Sequence, residues 1–327
     1  MARGRHPEQT SDAIGPAGNT LGPTIFTMAA ELKHRRGVPH RKICDFFETY
    51  CGLHVVPGTL VRAEQRLAER ARPTYDLLID ALRQAGVVHA DETGWRVNGV
   101  NGWLWVFSNP QVTVYAIRTG KGARAHDVPE EILGPDFDGY LIVDGFLAYT
   151  ALSYRKGQCN GHLLRRAKDL HDVVPNPEHR YLDRLIRLLQ DAIALARRRA
   201  ELDLQVYSRR AGRMEDRLIL WLNHLPSQRS AELERLANHI TKHLEEWFVF
   251  LYHHEVPPTN NHAEGMLRPA VITRKVGGCN KSLLGALVHS VLASIMVTCK
   301  QQGRKFLDLA KQLWANSEAQ AITLASG

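Results

Sequence analysis

Residues 87–118 read VVHADETGWRVNGVNGWLWVFSNPQVTVYAIR, and they begin with a short apolar run that ends in a carboxylate. The rest of the stretch is rich in Val, Trp, Tyr and Ile, and Asn-Gly and Asn-Pro pairs divide it. β-Branched and aromatic residues favour strands, and these dipeptides are typical of turns. The stretch therefore predicts one strand that leads into an antiparallel meander.

A second apolar run, YLIVDG at 140–145, also ends in an aspartate, and the charged helical segment AHDVPEEIL at 125–133 precedes it. A strand, a meander, a helix and a strand in this order predict an α/β fold with a mixed sheet. We therefore assign residues 86–175 to an α/β region.

The chain before this region divides into two parts. Residues 1–23 are rich in Gly, Pro, Ser and Thr and lack periodicity, which predicts a flexible lead-in. Residues 24–85 have helical periodicity, and a helix over RKICDFFETYC (41–51) would stop at Gly52. A second helix is predicted from Pro57 through the segment LVRAEQRLAERA.

Two short helices joined by a Gly-containing turn permit two interpretations of residues 41–72. One is a helix-turn-helix whose second helix enters a DNA major groove, and the other is a plain helical pair. In the first interpretation, Arg62 and Arg66 on the outer face of the second helix would contact DNA.

The segment 176–256 has apolar residues at helical spacing, as at Leu182, Leu185 and Leu189, and this predicts an all-helical insertion. Residues 257–327 follow it, and after Pro257 and Pro258 the segment TNNHAEGMLRP (259–269) opens a helix because Asn and Thr are favourable N-caps. Two more helices are predicted to close the chain.

Composition and charge indicate the class of protein and of partner. The chain has 327 residues, 44% hydrophobic and 23% charged, which are ordinary globular values and exclude wholesale disorder and collagen. Lys and Arg exceed Asp and Glu by 42 to 34, and the net charge of +8 favours a polyanionic partner such as nucleic acid.

Cysteines and apolar runs indicate the compartment. Five scattered cysteines without a CxxC pair argue against both a disulfide framework and a zinc ribbon. The longest apolar run, SVLASIMVTC at 290–299, is shorter than the roughly 18 residues of a membrane span and predicts a buried helix. The basic start leads into no apolar stretch, so we expect a cytoplasmic protein without a membrane partner.

Three carboxylates stand where catalytic groups are often found. Asp91 and Asp144 end the two predicted strands, and Glu264 lies in the first turn of a predicted helix. Converging carboxylates repel one another unless a cation lies between them, and such oxygen ligands suit Mg²⁺ or Mn²⁺. The alternative is that both aspartates are turn residues and that Glu264 completes a capping box with Asn261.

Three motifs carry a resemblance to a known family. HADETGWRVNG (89–99), LIVDGFLAY (141–149) and TNNHAEGMLRPAVITRK (259–275), with a helical block between the last two, resemble the transposases of insertion sequence family 66. The similarity extends from about Gly22 to the C-terminus. It implies a ribonuclease H-like mixed sheet flanked by helices, with an N-terminal helix-turn-helix and an all-helical insertion before the last catalytic residue.

The resemblance also implies a catalytic triad of the DDE class. Carried over residue by residue, Asp91, Asp144 and Glu264 match that triad, whereas periodicity alone leaves Glu92 as a rival ligand. The triad would hold two ions of Mg²⁺ or Mn²⁺. These ions would serve cleavage at the element ends and strand transfer into target DNA. The implied partners are double-stranded DNA, further copies of the chain in a synaptic complex and accessory proteins, at the nucleoid.

Two other functions stay open at this point. One is another nuclease of the ribonuclease H fold, which would share the triad but would need neither a DNA-reading helix pair nor a helical insertion. The other is a non-catalytic or truncated relative that binds element ends.

Two further features surround the proposed triad. Cys159 and His162 have a metal-like spacing, but no second pair completes a zinc site, which favours a structural role. The resemblance predicts an aromatic residue at position 160, where this chain has Asn160. Basic side chains predicted to hold DNA phosphates, besides Arg62 and Arg66, are Arg165, Arg166, Arg268, Arg274 and Lys275.

Overall fold

A computed structural model describes residues 21–316 and 319–324. In this part of the chain, five strands form one sheet with the order β3-β2-β1-β4-β5. The strands are β1 Val87–Val97, β2 Val100–Ser108, β3 Thr113–Thr119, β4 Tyr140–Val143 and β5 Arg155–Gln158. β2 and β3 are antiparallel, whereas β4 is parallel to both β1 and β5, so the predicted α/β class with a mixed sheet is confirmed.

β1 differs from the prediction that a strand ends at Asp91. The strand continues for 11 residues because the alternation of buried and exposed positions continues past the carboxylate, with Trp95 and Val97 buried. It ends where Asn98 and Gly99 both adopt positive φ angles, of 51° and 77°, as a tight hairpin turn requires. Asp91 therefore lies within a strand.

The N-terminal region is helical, as predicted. Its helices are α1 Pro23–His34, α2 His40–Cys51 and α3 Pro57–Arg83. α2 stops at Gly52, whose φ of 62° is the left-handed conformation of a helix C-cap. Ile43 and Phe47 of α2 are buried, but Phe46 and Tyr50 are exposed. Most of the lead-in predicted over 1–23 lies outside the described residues.

The described chain divides into two compact units. The first comprises the described residues up to Arg83, Glu92–Gly134 and the described residues from Gly265 onward. Besides α1–α3, its helices are α4 Asp127–Leu133, most of α11 Asn261–Gly277, α12 Leu283–Gln301 and α13 Phe306–Ala315. α3 is longer than predicted because Tyr75, Leu78 and Leu82 continue its buried face.

α12 is the central helix of the first unit and packs against α3 and β3. By length and composition α12 could cross a membrane, but 72% of its most apolar 18-residue stretch is buried inside the protein, as in a core helix. α12 begins seven residues before the apolar run 290–299, because the segment LLGALVH (283–289) is also largely apolar and extends the helix.

Hydroxyl groups on α12 bind the outer edge of β3. Ser294 Oγ accepts a hydrogen bond from the Tyr115 amide at 2.8 Å, and Thr298 Oγ1 accepts one from the Thr113 amide at 3.0 Å. The same Thr298 hydroxyl lies 3.2 Å from the Thr113 carbonyl oxygen, to which it donates. The polar residues of this apolar helix thus satisfy main-chain groups of a strand.

A buried ion cluster joins α1, α2 and α3 within the first unit. Glu64 Oε2 lies 3.3 Å from His34 Nε2 and 2.9 Å from His40 Nε2. Burial alone would raise the pKa of Glu64, but the charges and hydrogen bonds of His34 and His40 outweigh it and lower the pKa to about 2. His34 Nδ1 also lies 3.0 Å from His289 Nδ1 on α12.

The second unit comprises Gln84–Asp91 and Pro135–Glu264. After the short helix α5 Leu147–Thr150 it contains α6 Asn160–His171 and then α7 Asn176–Arg197, α8 Leu204–Asn223, α9 Ala231–Lys242 and α10 Val249–Tyr252. We call α7–α10 the helical block. Its core is continuous because inward-facing residues such as Leu185, Trp221 and Ile240 pack into one cluster.

Candidate functional site

Asp91 and Asp144 lie on neighbouring parallel strands of the second unit. The register pairs His89 of β1 with Ile142 of β4, and two residues further on it aligns Asp91 with Asp144. Asp144 directly follows β4, as predicted. Both side chains are partly buried, and the two residues lie at the same end of the pairing between β1 and β4.

Cys159 extends this row across β5. The register pairs Val143 with Gln158, which aligns the next residues, Asp144 and Cys159, and the Cys159 amide donates to the Val143 carbonyl at 2.8 Å. The ligand site of an open parallel sheet lies at the carboxyl ends of its strands, and Asp144 and Cys159 occupy that position, whereas Asp91 lies within the longer β1.

Asn260 fixes the start of α11 to β1 and to Cys159. Its Oδ1 lies 2.9 Å from His89 Nδ1, its Nδ2 donates to the Ala90 carbonyl at 2.7 Å, and its amide donates to Cys159 Sγ at 3.1 Å. Burial lowers the pKa of His89 to about 4, so the ring is neutral and donates to Asn260 through Nδ1. The Glu264 amide then donates to the Asn260 carbonyl at 3.2 Å, one helical turn further on.

The sequence did not identify His89 or Asn260 as site residues. It placed an Asn at the helix start, but the side chain of buried Asn260 binds β1, and Asn261 is the first, exposed residue of α11. Because Glu264 is in the first turn, the prediction of its local position is confirmed.

We expect Asn260→Ala to lower the free energy of unfolding by about 1–3 kcal/mol, because it leaves buried groups of His89 and Ala90 without partners. Chemical denaturation of full-length protein measures this. Asn261→Ala is the matched control, since Asn261 is exposed and adjacent, and it should cost less than about 0.5 kcal/mol. Equal losses in the two variants would contradict the role given to Asn260.

His162 connects Glu264 with Asp144. It lies in the first turn of α6, and its Nε2 is 3.4 Å from Glu264 Oε1. The hydrogen bond with the neighbouring Cys159 side chain, together with the charges of Glu264 and Asp144, raises the pKa of His162 to about 8 against the effect of burial. One cationic imidazole therefore lies within the electrostatic reach of both carboxylates.

Glu92, the rival to Asp91, is engaged elsewhere. Its buried carboxylate Oε1 accepts hydrogen bonds from Arg124 Nε at 3.0 Å and Nη2 at 2.7 Å. The Arg124 guanidinium in turn lies 3.9 Å above the Trp103 ring. Successive strand residues point to opposite faces, so Asp91 and Glu92 diverge.

The three candidate carboxylates suit a hard divalent cation. Asp91, Asp144 and Glu264 together offer carboxylate oxygens, the ligands that Mg²⁺ and Mn²⁺ prefer. Within the described ranges, no three His, Cys, Asp or Glu side chains are grouped tightly enough to hold an ion as they stand. The donor types fit the implied metal, although the positions of these side chains do not form a metal site.

Asn160 and Gly145 connect this edge of the sheet to the helical block. Asn160 Nδ2 donates to the Trp247 carbonyl at 2.9 Å, a contact that a phenylalanine at position 160 could not make because it has no donor. Gly145 has a φ of +86°, and a Cβ there would lie 2.7 Å from Cε1 of His239 on α9. His239 thus lies against the residue that follows Asp144, a contact that no local pattern predicts because α9 is distant along the chain.

The predicted phosphate contacts fall into both units. Arg165 and Arg166 are exposed on α6, in the unit that contains the carboxylates. The others belong to the first unit; of these, Arg274 Nη1 donates to Thr93 Oγ1 at 2.9 Å and to the Gly94 carbonyl. The remaining members of this group are exposed Arg62, Arg268 and Lys275 and half-buried Arg66.

Comparisons with known proteins agree with the motifs. The family model described as "Transposase IS66 family" matches residues 18–287. A similar curated protein is the "Uncharacterized protein y4qI" of Sinorhizobium fredii (strain NBRC 101917 / NGR234), which is 26% identical over 289 residues. That match covers 76% of this chain and 52% of the relative, so the chain spans about half the length of the curated protein.

Proposed function

Since the chain belongs to the IS66 family of transposases, we propose that it cuts DNA at the ends of a mobile element and joins those ends to target DNA. The observation that carries this proposal is the register of β1 and β4, which when continued by two residues brings Asp91 level with Asp144, together with the contact between His162 and Glu264. The strand order and the antiparallel β2 are compatible with the ribonuclease H-like core that the family resemblance implies.

In this proposal Asp91, Asp144 and Glu264 are metal ligands. Two Mg²⁺ or Mn²⁺ ions, when bound, lower the pKa of water and neutralise charge on the phosphodiester. The carboxylates act as ligands and do not carry protons. His162 orients Glu264, and Asn260 fixes the helix on which Glu264 stands. Phosphoryl transfer depends mainly on such positioning and on charge neutralisation.

DNA recognition is assigned to α2 and α3, as a helix-turn-helix. α3 supports this because Arg62 is exposed while Leu60, Ala63 and Leu67 on the other face are buried. The helical block would be the insertion before the last catalytic residue. Double-stranded DNA is the proposed partner, and the net charge of +8 favours it.

Joining two DNA ends requires both in one complex, so we also propose that copies of the chain act as a homo-oligomer on paired ends. Accessory proteins would belong to that complex, and it would be located at the nucleoid. Analytical ultracentrifugation of the chain with duplexes that carry element ends tests this assembly.

We expect binding to duplex DNA to weaken at least about 100-fold between 50 and 200 mM salt, because Lys and Arg contacts to phosphates release counterions. Fluorescence anisotropy with a labelled duplex over a series of KCl concentrations measures this. A flat response over the same range would contradict DNA as the partner.

Strand-transfer assays distinguish this function from its two alternatives. With Mn²⁺ and duplexes that carry the element ends, a transposase produces joined products. Another nuclease of the same fold would cut without joining, and a non-catalytic relative would bind the duplex without cutting it. Either outcome would overturn the proposal.

A further inference from the structure

We propose that the helical block supplies a phosphate-binding cradle beside Asp144, formed by His239 and Arg235 of α9 and Arg166 of α6. This inference rests on the proposed function and deepens it, because it gives the helical block a direct contact with the DNA strand at the carboxylates. All three residues belong to the second unit, as do Asp144 and Glu264.

The position of His239 is fixed by the backbone after Asp144. A side chain on Gly145 would have its Cβ 2.7 Å from Cε1 and 3.0 Å from Nε2 of His239, so only glycine permits this approach. The left-handed φ of +86° at Gly145 favours glycine independently. The imidazole is therefore adjacent to the candidate metal ligand.

Neighbouring groups hold the His239 ring in place. It makes edge contacts with the Trp247 ring at 5.5 Å and with the His243 ring at 5.2 Å. His243 Nδ1 lies 2.9 Å from Glu246 Oε2, and Gln158 Nε2 donates to the same oxygen at 2.6 Å. These hydrogen bonds attach the His243 ring to Gln158 at the end of β5, and the His239 ring packs against His243. The His239 ring is therefore pre-organised for a ligand.

The chemistry of His239 suits a hydrogen bond to an anion. Among the described residues, neither ring nitrogen has a hydrogen-bond partner, although the side chain is half-buried. Burial, with Arg166 and His243 adding to it, lowers the pKa of His239 to about 4. The neutral ring carries one N–H, which can donate to a phosphate oxygen.

Two arginines complete the cradle. Arg235 precedes His239 by four residues on α9 and therefore lies on the same helical face. α6, which carries Arg166, packs against α9, which carries Arg235. Partial desolvation by neighbouring atoms, followed by the charge of Arg235, lowers the pKa of Arg166. Arg235 Nη2 lies 2.7 Å from Glu232 Oε1 on the protein surface, where such a pair contributes little. A phosphate between the guanidinium groups relieves their repulsion and gives both a partner.

The occupant is a phosphodiester and not a second cation. Two guanidinium groups and a neutral N–H donor repel or fail to ligate a metal ion, whereas each of them binds phosphate oxygens. The phosphate in the cradle would belong to the same DNA strand as the phosphate that is bound at the carboxylates. The cradle thus positions the strand without reading its sequence.

The test compares cradle variants of the full chain in DNA binding over a salt series in EDTA, with a fluorescein-labelled duplex as the probe. We expect Arg235→Ala to reduce the slope of log affinity against log salt by about 1, because one phosphate contact is lost. His239→Ala should weaken binding about tenfold at low salt without changing the slope, and His239→Gln, which keeps a donor, should restore most of it.

Arg210→Ala and His254→Ala are the matched controls, because both residues are exposed in the second unit away from the carboxylates, and both should bind within about twofold of wild type. Arg235 is exposed, so its variant folds normally and decides the question. If the slope of log affinity against log salt is the same for Arg235→Ala and Arg210→Ala, the cradle is wrong, even when DNA binding by wild type depends strongly on salt. If wild type itself binds no DNA, the proposed function fails first and the cradle with it.

Discussion

Asp144→Asn is expected to reduce Mn²⁺-dependent DNA cleavage about 1,000-fold or more while DNA binding stays within about threefold of wild type. The substitution keeps the shape of the side chain and removes the charge that a cation requires. Asp144 follows β4 directly, and its carboxylate is one of the three proposed metal ligands. Gel assays of labelled duplex cleavage measure the first effect, and fluorescence anisotropy measures the second.

Asp138→Asn is the matched control for this variant. Asp138 belongs to the same unit, but its side chain is 96% exposed and pairs only with Arg155 at the surface. It should cut like wild type, since exposed ion pairs contribute little. Cleavage by Asp144→Asn at the rate of Asp138→Asn would remove Asp144 from the site.

Glu64→Ala should lower the free energy of unfolding by about 3–5 kcal/mol at neutral pH, because it leaves His34 and His40 without the carboxylate that joins three helices. Glu69→Ala, at an exposed position on the same helix, is the matched control and should cost less than about 0.5 kcal/mol. Urea denaturation followed by circular dichroism measures both.

The pH dependence of the same two variants tests the origin of the effect. The pKa of Glu64 is lowered from 4.5 to about 2, so its stabilisation is complete above pH 4.5 and is lost as the pH falls toward 2. A shift of this size corresponds to about 3 kcal/mol. The difference between wild type and Glu64→Ala should therefore shrink over this interval. A difference independent of pH would mean that packing, not charge, dominates.

The local positions of the candidate ligands could be predicted from short-range patterns. An apolar run followed by a carboxylate located Asp144, and an N-cap signal before an apolar run located the turn that carries Glu264. The position of Asp91 within a strand was not predicted, because the polar residues after it interrupt the apolar pattern but fit the alternation of a half-buried strand.

The contacts that organise the site could not be predicted, because they join residues far apart in the chain. Asn260 binds His89 across 171 positions, and His239 contacts Gly145 through folding of the helical block. Periodicity reports which face of an element is buried and not what lies against it. The pattern of α3 likewise does not identify the partners of buried Glu64, because His34 and His40 belong to two other helices.

The hydroxyl groups that α12 places along β3 also affect how copies of this chain can associate. An exposed edge strand recruits other strands into extended, aggregation-prone sheets. Here the outward amides of Thr113 and Tyr115 are already taken by Thr298 and Ser294, so this edge offers no template for strand addition. At these two positions, association between copies therefore depends on side-chain contacts and not on main-chain pairing.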